Sequence, residues 1–136
     1  MITKEITICG KQVTLAYCYA TEISYKILAD QDIMNFMQEV SDALQAEPQQ
    51  MPDIRKTIFL LLASMQSYYD SLSAGQNGQK PQPPVTDEDL MYHCTPQDLG
   101  VALGTILGLR SQFYHLPSDE PEEKEPKGKR KNRKNA

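Results

Sequence analysis

The hydrophobic period of this chain changes once, at Thr21, and that change limits its fold more than any other feature. Before it, Ile2, Ile6 and Ile8 share one parity with Lys4, while Thr3, Glu5 and Thr7 take the other. After Cys9-Gly10-Lys11 the alternation resumes through Val13, Leu15, Tyr17 and Tyr19. Successive side chains of a strand face opposite ways, so alternation on both sides of a glycine predicts a β-hairpin over residues 2–19. Two strands alone are marginal in water. The hairpin must lean on helices or gain strands from another chain.

From Thr21 onward the spacing is helical. Thr21 is suited to cap a helix over 22–29, with Ile23 and Ile27 one turn apart. Asp30 and Asp32 suit a break and restart into a second helix over 32–46, in which Ile33, Phe36, Met37, Val40 and Leu44 recur in helical period. Pro48 and Pro52 close this region. The strongest helix spans 53–73, where Ile54, Ile58, Leu61, Leu62, Met65, Tyr68, Tyr69 and Leu72 form a wide apolar face.

A linker over 74–85, "AGQNGQKPQPPV", carries Pro and Gly and no large apolar side chain before Val85. "TDED" at 86–89 then opens a helix over 87–94, its acids placed to favour the helix dipole. Thr95 as cap, Pro96 at the first position and Asp98 in the first turn start a last helix over 96–115. Gly100, Gly104 and Gly108 fall on one side of it, a stripe that predicts close approach of another helix. The expected class is α+β, mostly α: a hairpin, four or five helices in one small domain over 1–116, and a disordered charged tail over 117–136.

Charge is segregated along the chain. Residues 1–116 hold seven Lys and Arg against thirteen Asp and Glu, a net −6, whereas residues 127–136 hold six bases and no acid, a net +6. A protein built to grip phosphates puts positive charge on its folded surface, where geometry is fixed. An acidic body argues against a dedicated nucleic-acid binder. A small nucleic-acid-binding protein acting through its tail stays as an alternative, and so does a structural virion subunit. No stretch approaches the roughly 20 apolar residues of a membrane span, and no signal peptide opens the chain, so a cytoplasmic protein is expected.

Chemistry is sparse. Cys9, Cys18 and Cys94 make an odd set without CxxC spacing and are expected as small buried hydrophobes rather than a disulfide framework. His93, Cys94 and His115 match no common metal-ligand spacing, and His93 and Cys94, adjacent on a helix, point about 100° apart. No glycine-rich phosphate loop, nucleophile elbow or zinc-protease motif occurs. The expectation is a non-enzymatic protein with no metal and no cofactor. Tyr17, Tyr19 and Tyr25 fit core and partner patch equally well. The face of the 53–73 helix also has two readings: plain core packing, or a partner strip in which Ile58, Leu62, Met65 and Tyr69 meet an apolar client.

The order of elements carries a resemblance. "KEITICGKQVTLAY" at 4–17 follows the pattern K-x-I-x-I-x-G-K-x-Y/V-x-L-x-F/Y that opens the tail assembly chaperones of tailed bacteriophages and prophages. As in those proteins, the hairpin leads directly into helices and a charged C-terminus. The chain departs from them at "EISYKILADQDIM", where many members are rich in Glu and Leu. The resemblance implies a non-enzymatic role in the host cytoplasm, binding the tape-measure protein and keeping it soluble during virion assembly. It also implies tail-tube subunits as partners, recruited by an extended frameshift product, and leaves room for self-association.

Overall fold

A computed structural model describes residues Met1–His115; the tail expected to be disordered lies outside the described residues. Strands β1 (Ile2–Ile8) and β2 (Lys11–Tyr17) form an antiparallel hairpin, followed by helices α1 (Tyr19–Ala29), α2 (Ile33–Gln45), α3 (Ile54–Ser71), α4 (Asp87–Tyr92) and α5 (Pro96–Tyr114). This is the mostly helical α+β architecture that the change of period implies. None of these helices is long and apolar enough to cross a membrane.

The hairpin turns on two residues, Cys9 and Gly10, both at positive φ (54° and 75°). Two left-handed residues match the twist of the flanking strands. Glycine adopts that conformation freely and cysteine does not, so Cys9 holds a position where Asn or Gly is easier. The register pairs Ile2 with Tyr17, Lys4 with Leu15 and Ile6 with Val13, which places these six side chains on one face. Val13, Leu15 and Tyr17 on that face are fully buried, joining Leu99, Ala102, Leu103, Ile106 and Leu109 of α5 in the core.

Helix α1 starts earlier than the sequence suggests. Thr21 is not its cap but lies inside the first turn, fully buried, while Cys18 holds the cap position. The Thr21 hydroxyl accepts from the Cys18 amide at 3.2 Å and lies 2.8 Å from the Ser67 hydroxyl on α3. Threonine was the right residue for a helix start, but the tight joint between β2 and α1 moves the boundary three residues back. Ile23 and Ile27 then fall on the outside of α1, 61% and 76% exposed, with Tyr19 one turn earlier.

The remaining boundaries follow local chemistry. Asp30 closes α1 in the left-handed conformation, and Asp32 takes the cap position of α2. Asp53 caps α3 by accepting from the Lys56 amide at 2.9 Å. Thr86 and Thr95 cap α4 and α5, each in a reciprocal pair with the aspartate three residues on. Helix α3 buries Leu60, Leu61, Ser64 and Met65 against β2, α1 and α5. The glycine stripe corrects an expectation: a Cβ on Gly100, Gly104 or Gly108 would meet nothing within 4 Å. The leucines and Ile106 turn the apolar side of α5 inward, so the glycines face out, beside a 330 Å³ cavity bordered also by Lys4.

Candidate functional site

Helix α3 has two apolar sides, which is why its sequence pattern is so wide. One side is core. The other carries Ile54, Ile58 and Leu62, about one turn apart, with Phe59 beside Ile58, on a stripe that no other helix covers completely. Ile54 is 57% exposed, and Met91 of α4, which faces it, is 62% exposed. Between them run two cavities, of 430 and 570 Å³, that share Ile54, Ile58 and Met91 as walls and so form one groove. Leu90, Cys94, Pro96 and Leu99 line its far side, and the Arg55 guanidinium lies over the Phe59 ring at 5.3 Å. One to two turns further along α3, Leu62, Met65 and Gln66 border a 580 Å³ cavity with Leu28 of α1, with Pro83 and Val85 of the linker and with Thr86, the cap of α4.

The four residues expected to meet a partner separate in space. Ile58 and Leu62 are half-buried and line the grooves. Met65 is a correction, since it is only 1% exposed and belongs to the core. Tyr69 is half-buried, and its hydroxyl is engaged by the Thr14 amide of β2 at 3.3 Å, so it serves the joint between hairpin and helix. A five-turn apolar face does not say which of its sides a neighbour covers. Phe59, Met91 and the Tyr19–Ile23–Ile27 stripe of α1 carry exposed or half-exposed apolar surface that the period alone did not separate from core.

The lining is aliphatic, thioether and aromatic. Such a surface takes apolar side chains, and methionine and unbranched contacts adapt to more than one partner shape. Two of the polar groups near it are already committed: the Thr86 hydroxyl accepts from the Asp89 amide, and the Asp87 carboxylate from the Glu88 amide. Lys11 pairs with Asp89 at 3.4 Å, and the capping bonds at Thr86 together with that lysine hold the Asp89 carboxyl below its usual range.

The tyrosines divide likewise. Tyr17 is fully buried and donates to Glu22 at 2.7 Å; burial first, then this bond, raise its phenol far above the usual range. Tyr114 of α5 donates to the same carboxylate. Tyr25, also fully buried, donates to Gln31, which donates to Glu39, which accepts from Lys56 at 2.9 Å. Tyr19 alone of the three expected candidates is exposed, its ring edge-on to Phe113 at 5.1 Å.

The cysteines correct the reading of them as separate small hydrophobes. All three are half-buried, and the hairpin turn carries the Cys9 sulfur to 2.7 Å from that of Cys94. Their sulfurs and a carboxylate oxygen of Asp98 all lie within 4.8 Å of one another. The two cysteines lie 85 positions apart, so no local spacing reveals the meeting.

No family model matches this chain, and neither a curated protein sequence nor a solved structure does.

Proposed function

We propose that this protein is a non-enzymatic tail assembly chaperone of the phage and prophage kind, which binds an apolar helical segment of a tape-measure protein and keeps it soluble. The observation that carries this reading is the continuous apolar groove between α3 and α4, with Ile54 and Met91 exposed on its two sides. A soluble chain leaves contiguous apolar surface open where a partner is to cover it. An amphipathic helix laid along α3 would place side chains one turn apart into successive parts of the groove. The net −6 over residues 1–116 supports the same role, because like charge keeps a loaded complex dispersed. The hairpin-to-helix order and its resemblance to tail assembly chaperones name the client class.

Co-expression with a tape-measure segment tests this. The chain should raise the segment's soluble fraction, and Ile54→Ser combined with Met91→Ser should abolish the effect while circular dichroism still shows the parent helicity. Both side chains are already exposed, so the fold tolerates the change. If deletion of residues 119–136 abolishes protection and the double substitution does not, the activity belongs to the charged tail and the groove reading fails.

A further inference from the structure

We propose that Cys9 and Cys94 are a site of reversible oxidation, closing to an intramolecular disulfide by exchange with a low-molecular-weight disulfide. The two sulfurs stand 2.7 Å apart, closer than unbonded sulfurs rest, and 85 positions apart in sequence. Closing to a bond of about 2.05 Å needs an approach of about 0.65 Å. Spanning a tetrahedral zinc ion instead, with each sulfur about 2.3 Å from the metal, would require separating them to about 3.8 Å. The smaller motion favours the covalent link.

Two further observations agree. Cys9 occupies a left-handed turn position with φ 54°, where glycine or asparagine fits with less strain. That placement directs its sulfur across the fold to the bend just before the α5 cap. Both cysteines are half-buried rather than sealed, and Cys94 lines the groove with Ile58 and Met91, so a small reagent reaches the pair. Cys18, the third thiol, sits instead beside the Thr21 hydroxyl at 3.8 Å.

The exchange balances in two steps. The Cys9 thiol loses its proton to solvent, and the thiolate attacks one sulfur of glutathione disulfide. The S–S bond of that reagent breaks and one glutathione leaves as thiolate. The Cys94 thiol then loses its proton and attacks the Cys9 sulfur of the mixed disulfide, expelling the second glutathione thiolate. Two protein thiols are oxidised, one glutathione disulfide is reduced to two glutathiones, and the two protons end on those products. Burial, with the neighbouring Cys9 sulfur, pushes the Cys94 thiol up to about 12, so Cys94 enters second, once the mixed disulfide lies beside it. The bond ties the hairpin turn to the junction of α4 and α5, one wall of the groove.

Full-length protein, reduced and then incubated with glutathione disulfide, tests this. The intact mass should fall by two hydrogens, one thiol (Cys18) should stay titratable, and a non-reducing peptide map should join the Cys9 and Cys94 peptides. The melting temperature should rise on the order of 10 °C and return on reduction, since the closed loop is long. Cys9→Ser or Cys94→Ser should remove both changes, and Cys18→Ser neither. If one of the two serine variants does not fold, the peptide map of the parent still decides. Stable glutathione adducts on single cysteines, or a map that joins Cys18, overturn the proposal. So does one zinc ion retained through dialysis that protects Cys9 and Cys94 from exchange, which would make them a metal site with Asp98.

Discussion

The Ser64 hydroxyl of α3 bonds twice to Ala16 of β2, accepting from its amide at 3.0 Å and donating to its carbonyl at 2.8 Å. Ala16 is fully buried; its carbonyl also accepts from the Thr21 hydroxyl at 3.3 Å, whereas its amide has Ser64 as its partner. Two positions earlier, the Thr14 amide on the same edge donates to Tyr69. Two side chains of α3 thus stand where a third strand would, and they close the open edge of a two-stranded sheet.

Ser64→Ala should therefore be costly although it removes a single oxygen. A buried polar group left without a partner costs about 1–3 kcal/mol, and the Ala16 amide is orphaned while its carbonyl keeps the Thr21 hydroxyl, so a loss of roughly 1–3 kcal/mol is expected. Tyr69→Phe, at a half-buried bond, should cost about 1 kcal/mol. Urea unfolding checks both, and equal small losses would mean that the edge is satisfied some other way.

Alkaline titration should separate the tyrosines. Of the seven in the chain, Tyr17 and Tyr25 are raised, chiefly by burial, and Tyr114 is pushed up to about 12, chiefly by its bond to Glu22. A phenol whose folded pKa is raised contributes stability that is complete below its unfolded value, near 10, and is lost as pH rises through the folded value. Stability should fall from about pH 10 upward, with these three phenols ionising late or only on unfolding. Phenolate absorbance followed beside far-ultraviolet circular dichroism reads both. Seven phenols ionising together in the folded state would contradict it.

At the acid end the group to watch is Glu39. Hydrogen bonds from Lys56 and Gln31 hold its carboxyl below the usual glutamate value of 4.5. A lowered folded pKa gives stability that is present above the unfolded value and disappears as pH falls through the folded one. The pair is largely exposed, so Glu39→Gln should cost less than about 1 kcal/mol at neutral pH. The difference between variant and parent should vanish in acid. Melts at pH 7 and over a descending acid series test this, and a difference that does not shrink as pH falls would place the effect in packing.

Gly104→Ala should stabilise the isolated chain. Open space surrounds the position, and alanine in a helix interior is favoured over glycine by up to about 1 kcal/mol. Gly100→Ala and Gly108→Ala should act alike and roughly additively. A fall in melting temperature on any of them would show that the outward face of α5 is covered in solution.

Much of this fold is decided within a few residues of sequence. The alternation of Ile6, Ile8, Val13 and Leu15 about Gly10 makes a hairpin because strand side chains face alternate ways. Asp53, Thr86 and Thr95 start helices because their side-chain oxygens meet amide groups that a helix leaves free. Tertiary structure decided the rest. The period of α3 could not say that Met65 faces the core and Ile54 the groove, because its apolar residues surround more than one side of the helix. Nor could local pattern bring Cys9 to Cys94, or Ser64 to Ala16, since each meeting depends on how the hairpin docks against helices far along the chain. Periodicity tells which side chains avoid water; only packing chooses the neighbour that shelters each one.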